Sequence, residues 1–137
     1  MVKANTTHPI ILKLSVAHWR ELAGILLGVN DLVEAISINS VPWNFAFPKT
    51  RSPLAHLGGG GISGQAVQPF TETFLRAMKA VNYHHLRKNP MPVIVPNIWE
   101  EGDIRWARRL GDALSFGSIF LRYPWRPRRI IASLSAR

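Results

Sequence analysis

The chain has 137 residues, 47% of them hydrophobic, which is enough for one domain with a sizeable core and argues against wholesale disorder. The absence of cysteine excludes disulfides and cysteine-bound metal within the chain. No apolar run is long enough to span a bilayer, and the N-terminus lacks the hydrophobic stretch of a signal peptide. We therefore expect a soluble, cytoplasmic protein.

The charge is strongly basic and unevenly distributed. There are 17 lysines and arginines against 8 acidic residues, a net charge of +9, and the excess is densest in an Arg-rich segment over 122–137. Five arginines lie there beside Tyr123 and Trp125: Arg122, Arg126, Arg128, Arg129 and Arg137. Such an excess attracts polyanions. Without a recognisable nucleic-acid motif we favour a solvated surface. The alternative is a non-catalytic basic module that binds nucleic acid through this segment.

Apolar patterns predict alternating strands and helices. In chain order they indicate a strand over 9–14, a helix over 17–27 that ends at Gly28, a strand over 32–39 and a long loop over 40–64. They continue with a helix over 69–83, a strand over 92–95, a helix over 100–110, a strand over 113–116 and a weaker helix over 127–136. This alternation with apolar strands is typical of an α/β fold with a parallel sheet.

Polar residues interrupt the strands at three places. Lys13 shares a strand face with Ile11, Asn39 ends the second strand, and Gly117-Ser118 follow the fourth. Ligands of parallel α/β folds bind beyond the carboxyl ends of the strands, which favours these positions as contacts. The ordinary alternatives are a surface lysine, an asparagine that caps its own turn, and a Gly–Ser turn.

A glycine-rich stretch over 57–69, LGGGGISGQAVQP, precedes the helix that begins near Pro69. Such a loop can offer backbone N–H groups to an anion, although the same composition also occurs in flexible linkers. The five histidines form no metal-binding pattern in the sequence.

Taken in order, Lys13, Asn39-Ser40, the Gly60–Gly64 block GGISG and Gly117-Ser118 resemble the C-terminal half of a dihydroorotate dehydrogenase. These enzymes are FMN-dependent (β/α)₈ barrels. The resemblance covers roughly residues 9–131, and its most specific blocks are GGGISGQAVQPFTETFLRAM and DALSFGSIFLR.

The resemblance implies that residues 1–137 form a single partial barrel, the C-terminal half of a TIM (β/α)₈ barrel with about four βα units. It implies oxidation of dihydroorotate to orotate in pyrimidine biosynthesis, with FMN as cofactor. Substrate binding is implied for Asn39 and Ser40. Cofactor binding is implied for Lys13, Gly60, Gly61, Ser63, Asn97, Gly117 and Ser118.

Two departures from the family pattern carry their own expectations. Asn97-Ile98 replace a Gly-Gly pair that clamps phosphate, and we expect their side chains to crowd the approach. The chain is also too short for a complete barrel, which needs about 200 residues or more. The residue that abstracts the proton lies in the missing half, so we expect no catalytic residue here. We expect a partner, either a second copy or a complementing half-barrel chain, and dihydroorotate or a similar small cyclic substrate.

Overall fold

The computed structural model describes residues 5–38, 40–85 and 90–135 and has a mixed α/β fold. The strands are β1 (Ile11–Leu14), β2 (Ala35–Ile38), β3 (Val41–Pro42), β4 (Gly61–Ile62), β5 (Val93–Val95) and β6 (Ala113–Leu114). The helices are α1 (Leu22–Val29), α2 (Trp43–Ala46), α3 (Gln68–His85), α4 (Asp103–Leu110), α5 (Ile119–Arg122) and α6 (Arg126–Ser135).

Four strands form a parallel sheet in the order β1-β2-β5-β6, which confirms the predicted α/β class with parallel strands. Neighbours in the sheet follow chain order, and one row across it joins Lys13 to Ser37, Ser37 to Ile94 and Ile94 to Ala113. The carboxyl ends of all four strands therefore lie at one edge of the sheet.

The two faces of this sheet differ in burial. Leu14, Ile36 and Val95 alternate onto the face that packs into the core, where each is at least nine-tenths buried. Ile11 and Lys13 lie on the opposite face and are exposed, which confirms that they share a face. One face of a parallel sheet is thus left uncovered, although such sheets are normally covered on both sides.

Helices α3 and α4 pack through the predicted apolar stripes. Phe74, Leu75 and Met78 of α3 are buried, as are Ile104 and Leu110 of α4. The helix α3 begins at Gln68, and its first turn includes Pro69, where the missing N–H would have no partner in any case. The same reasoning fits Pro127 in the first turn of α6.

The first helix differs from its prediction. A separate 3-10 turn, Val16–Trp19, precedes α1, because His18 has a non-helical ψ of 20°. This kink interrupts the continuous helix predicted over 17–27, and the side chains of Trp19 and Leu27 are half-exposed. Gly28 does not end the helix, which continues to Val29.

The predicted long loop over 40–64 is also more ordered than expected. Strands β3 and β4 pair in an antiparallel ribbon, with Val41 opposite Ile62 and Pro42 opposite Gly61. Between them lie α2 and a 3-10 turn, Ala55–Leu57. Pro42 is tolerated because β3 has a strand on one side only. Within the described ranges, no helix has the length and apolar character needed to cross a membrane.

Candidate functional site

A cavity of about 320 Å³ lies at the edge where the parallel strands end. It brings together six residues that the sequence singled out, namely Lys13, Ser40, Ser63, Asn97, Gly117 and Ser118. Three strands and the loops after them supply the rest of the wall, which is made of Ser37, Ile38, Pro96, Ile98, Trp99, Ser115, Phe116 and Ile119. Positions more than 100 residues apart in the sequence therefore meet in one concave site.

Lys13 reaches this cavity from the open face of the sheet. It pairs in register with Ser37 on β2, and its side chain is exposed. Because the ammonium group lies at the surface, it needs no buried counter-ion, and the described residues form no ion pair with it. Lys13 is therefore a positive charge held by a strand at the edge of the cavity.

Four backbone N–H groups follow the last two strands of the parallel sheet and have no acceptor among the described residues. The N–H groups of Asn97 and Ile98, after β5, donate no hydrogen bond to any described residue, and neither do those of Gly117 and Ser118, after β6. Because β5 and β6 are neighbours, the two pairs lie at adjacent strand ends. Backbone N–H groups arranged in this way can bind an anion without any charged side chain.

Asn97 has the left-handed backbone conformation, with φ of 62°. Its side chain is held by the glycine-rich stretch and α3, because Oδ1 accepts from the Gly64 N–H at 3.2 Å and Nδ2 donates to Thr71 Oγ1 at 2.8 Å. Asparagine is one of the few residues other than glycine that adopts this conformation readily. The neighbouring Ile98 is buried, with 1% of its surface exposed.

Gly60 and Gly61 take a different place from the one that the sequence suggested, because neither lines the cavity. Gly61 pairs with Pro42 in the antiparallel ribbon, and a Cβ atom on it would lie 2.1 Å from Ser40 Oγ. The Gly60 carbonyl accepts from the Trp43 N–H at 2.8 Å. Gly61 allows the ribbon to pack closely beside Ser40, whereas a Cβ atom on Gly60 would lie 3.0 Å from Leu54 Cδ1. Ser40 and Ser63 adjoin the ribbon and line the cavity.

A buried carboxylate behind the cavity was not identified from the sequence. Asp103 Oδ2 accepts from the backbone N–H groups of Trp99 (2.7 Å) and Glu100 (3.1 Å) and from Gln68 Nε2 (2.8 Å). Gln68 Nε2 also donates to the Asn97 carbonyl at 2.7 Å. The only local signal for it is an acidic residue in the first turn of α4, where the helix dipole already favours negative charge. In the structure, Asp103 fixes the loop that forms one wall of the cavity.

Arg126 contributes a guanidinium group near the same loop. Its centre lies 4.0 Å from the Tyr123 ring centroid, and Nη1 donates to the Trp99 carbonyl at 3.5 Å. Asn39, which the sequence assigned to the substrate, lies outside the described residues. The arrangement as a whole offers amides, hydroxyls and one ammonium, which suits an anionic or polar ligand.

Comparison with known proteins does not assign this chain to a family: no protein-family model matches it, and no curated protein matches it significantly.

Proposed function

We propose that this chain binds FMN and forms the C-terminal half of a dihydroorotate dehydrogenase-type (β/α)₈ barrel, which oxidises dihydroorotate to orotate in the cytoplasm. The observation that carries the proposal is the single cavity that collects Lys13, Ser40, Ser63, Asn97, Gly117 and Ser118 at the carboxyl ends of parallel strands. A resemblance based on separate motifs does not by itself require these residues to converge. Their convergence supports a shared binding role.

The donor set fits the phosphate group of FMN. Three backbone amides at adjacent strand ends, those of Asn97, Gly117 and Ser118, have no partner among the described residues, and we assign them as donors to the phosphate oxygens. Phosphate sites in barrels often use the loops after the last two strands, which are β5 and β6 here. The Asn97 side chain is engaged by Gly64 and Thr71, so it is not expected to crowd a phosphate held by the backbone.

The opposite end of the cavity fits a flavin ring. Lys13 lies on β1, three strands away from β6, or roughly 14 Å at the usual spacing of strands. An ammonium at this distance from the phosphate site would stabilise negative charge on a reduced ring and would tune its potential. When bound, the flavin supplies the two-electron acceptor for the oxidation.

The remaining polar groups would orient the ribityl chain and the substrate. Ser63 and Ser40 present hydroxyls from the ribbon over the cavity, and we assign Ser63 to the cofactor and Ser40 to the substrate. Asn39 keeps its assignment to the substrate as part of this proposal. We assign proton abstraction to the missing half of the barrel, so the chain alone is expected to bind FMN without turnover.

Titration with FMN tests the proposal. The purified chain is titrated at low and moderate salt, and flavin fluorescence reports saturation. We expect saturable binding that persists in moderate salt, because amide donors and a strand-held lysine are screened less than a general attraction to the +9 charge. Binding that disappears in moderate salt would contradict the site.

Two matched pairs of variants sharpen this test. Lys13→Ala should weaken FMN binding about tenfold or more, whereas Lys49→Ala, an identical charge change in the exposed segment after α2, should not. Gly117→Asp should repel the phosphate, and Gly28→Asp, in an exposed turn of α1, is its control. Equal effects within either pair would reduce the result to net charge and refute the site.

A second candidate function follows from the Arg-rich segment. In the described part of the chain no ion pair involves Arg122, Arg128 or Arg129, and the Trp125 side chain is 57% exposed. Arginines beside an exposed aromatic ring suit a single-stranded nucleic acid. Truncation after Tyr123 would also remove the buried Ile130, so Arg128→Ala with Arg129→Ala is the better test. Full oligonucleotide affinity in that double variant would exclude this candidate.

A further inference from the structure

The parallel sheet ends in two strands that have a neighbour on one side only. These are β1, which is followed in the chain by α1, and β6, which is followed by α5 and α6. An outer strand leaves half of its backbone hydrogen-bonding groups available for another strand. We define the α1 side as β1 with residues 15–35, and the α6 side as β6 with residues 119–135.

Both sides expose large apolar groups. On the α1 side, the Trp19 side chain is 54% exposed and that of Leu27 is 52% exposed. On the α6 side, the corresponding values are 50% for Phe120 and 51% for Ile131. These four residues belong to the elements that follow the two outer strands, and exposed large apolar groups are typical of a protein interface.

A groove on the α6 side marks where a further strand would fit. It has a volume of about 500 Å³ and runs between β6 and α6, with Leu114, Phe116, Ile131 and Leu134 along its walls. A strand that paired with β6 would place alternate side chains against these apolar walls. Strand β1 has a suitable residue for such a position, because Leu12 is only partly buried.

The charges of the two sides are opposite. The α1 side contains three acidic residues in 15–35 against Arg20 and the Lys13 of β1, a net charge of −1, and Glu21 and Asp31 are exposed. Residues 119–135 contain four arginines and no acidic residue, a net charge of +4, and Arg128 and Arg129 are exposed. The chain therefore carries, on its own two edges, the two halves of a charge-complementary contact.

We infer that the partner at these edges is a second copy of this chain. A two-fold axis along the strands would place the α1 side of each copy against the α6 side of the other. Strand β1 of one copy would then pair in parallel with β6 of its partner at two identical seams, and eight parallel strands would result. The open faces of both sheets would be enclosed together. This inference goes beyond the proposed function and does not depend on flavin binding. It concerns assembly and not turnover, because a second copy does not supply the proton-abstracting residue that the proposed function assigns to a complementing half.

Two charge-reversed variants test the inference. In the first, Arg122→Glu, Arg128→Glu and Arg129→Glu change the net charge of residues 119–135 from +4 to −2, so that both sides are acidic. In the second, Glu21→Arg and Asp31→Arg make both sides basic. All five side chains are exposed, so both variants should fold, which circular dichroism verifies. Lys49→Glu, Arg51→Glu and Arg109→Glu together form the surface control, which makes the first variant's charge change at exposed positions outside both sides and outside the α6 groove.

Sedimentation equilibrium measures the mass of each protein and of the mixture. We expect the parent and the surface control to be dimers and each reversed variant alone to dissociate, with Kd raised at least about tenfold. The mixture of the two reversed variants should form a one-to-one dimer, because both seams are then matched again. A monomeric parent would overturn the inference, as would dimeric single variants, open-ended oligomers or a mixture that does not reassociate.

Discussion

Replacement of Asp103 by alanine tests how the wall of the cavity is held. The carboxylate is buried, with 7% of the residue exposed, and Oδ2 accepts from the Trp99 and Glu100 N–H groups and from Gln68 Nε2. Alanine would leave these three donors without their acceptor. Trp106 Nε1, which donates to Oδ1 at 3.3 Å, would lose its acceptor as well.

The expected loss of stability is about 3–4 kcal/mol. A hydrogen bond to a charged group contributes about 1.5–3 kcal/mol, and the removal of one member of a buried charged network costs about 3–5 kcal/mol. The individual bonds do not add, because the folded protein no longer has to desolvate the carboxylate. Since a domain is stable by about 5–15 kcal/mol, the loss is a large fraction of the total. Asp103→Asn keeps one acceptor oxygen and should lose about half as much.

Urea unfolding followed by far-UV circular dichroism and tryptophan fluorescence measures this loss. Asp31→Ala is the matched control, because it removes the same charge from an exposed position and should change the free energy of unfolding by less than about 0.5 kcal/mol. A loss below about 1 kcal/mol in Asp103→Ala would refute the reasoning, since the donors would then have found other acceptors at little cost.

Two further predictions concern backbone constraints around the site. Gly61→Ala should lower the free energy of unfolding by about 1–3 kcal/mol, because the new Cβ atom would lie 2.1 Å from Ser40 Oγ. Adding Ser40→Gly to the same chain should restore part of this loss. If thermal unfolding shows that the effects of the two changes simply add, the contact is absent. The Asn97→Ala variant should be less stable than the Asn97→Gly variant by about 1–2 kcal/mol. Both variants lose the same side-chain hydrogen bonds, but only alanine is strained at φ of 62°. Equal midpoints of unfolding for the two variants would contradict this backbone conformation.

Most of the secondary structure could be predicted from the sequence, because the spacing of apolar residues differs between helices and strands. The stripe of α3 and the alternation of β1 are local patterns, and burial follows them directly. The prediction was wrong at α1, where the kink at His18 separates Trp19 from the helix that follows. It was also wrong over 40–64, because a two-residue strand has too little pattern to recognise.

The residues of the candidate site could be predicted where they interrupt or end an apolar strand. Lys13 and Gly117 interrupt or end apolar strands, and the cavity does include them. Gly61 was also predicted to contact the cofactor, but it lies against Ser40. A glycine permits the close approach of any atom, whether the atom comes from a ligand or from the chain itself. The Asp103 network was missed because Gln68 lies 35 residues away, and no local spacing encodes such a pair.

Asn97 occupies a backbone position that suits glycine and leaves the nearby backbone donors of the cavity unused. Its left-handed backbone is the conformation that glycine adopts most easily, so the peptide units on either side keep the directions a glycine would give them. Its side chain bonds to Gly64 and Thr71, and this contact joins the glycine-rich stretch to α3 while the N–H groups of Asn97 and Ile98 stay without a partner among the described residues. Asn97 thus adds a brace beside the cavity without using its backbone donors.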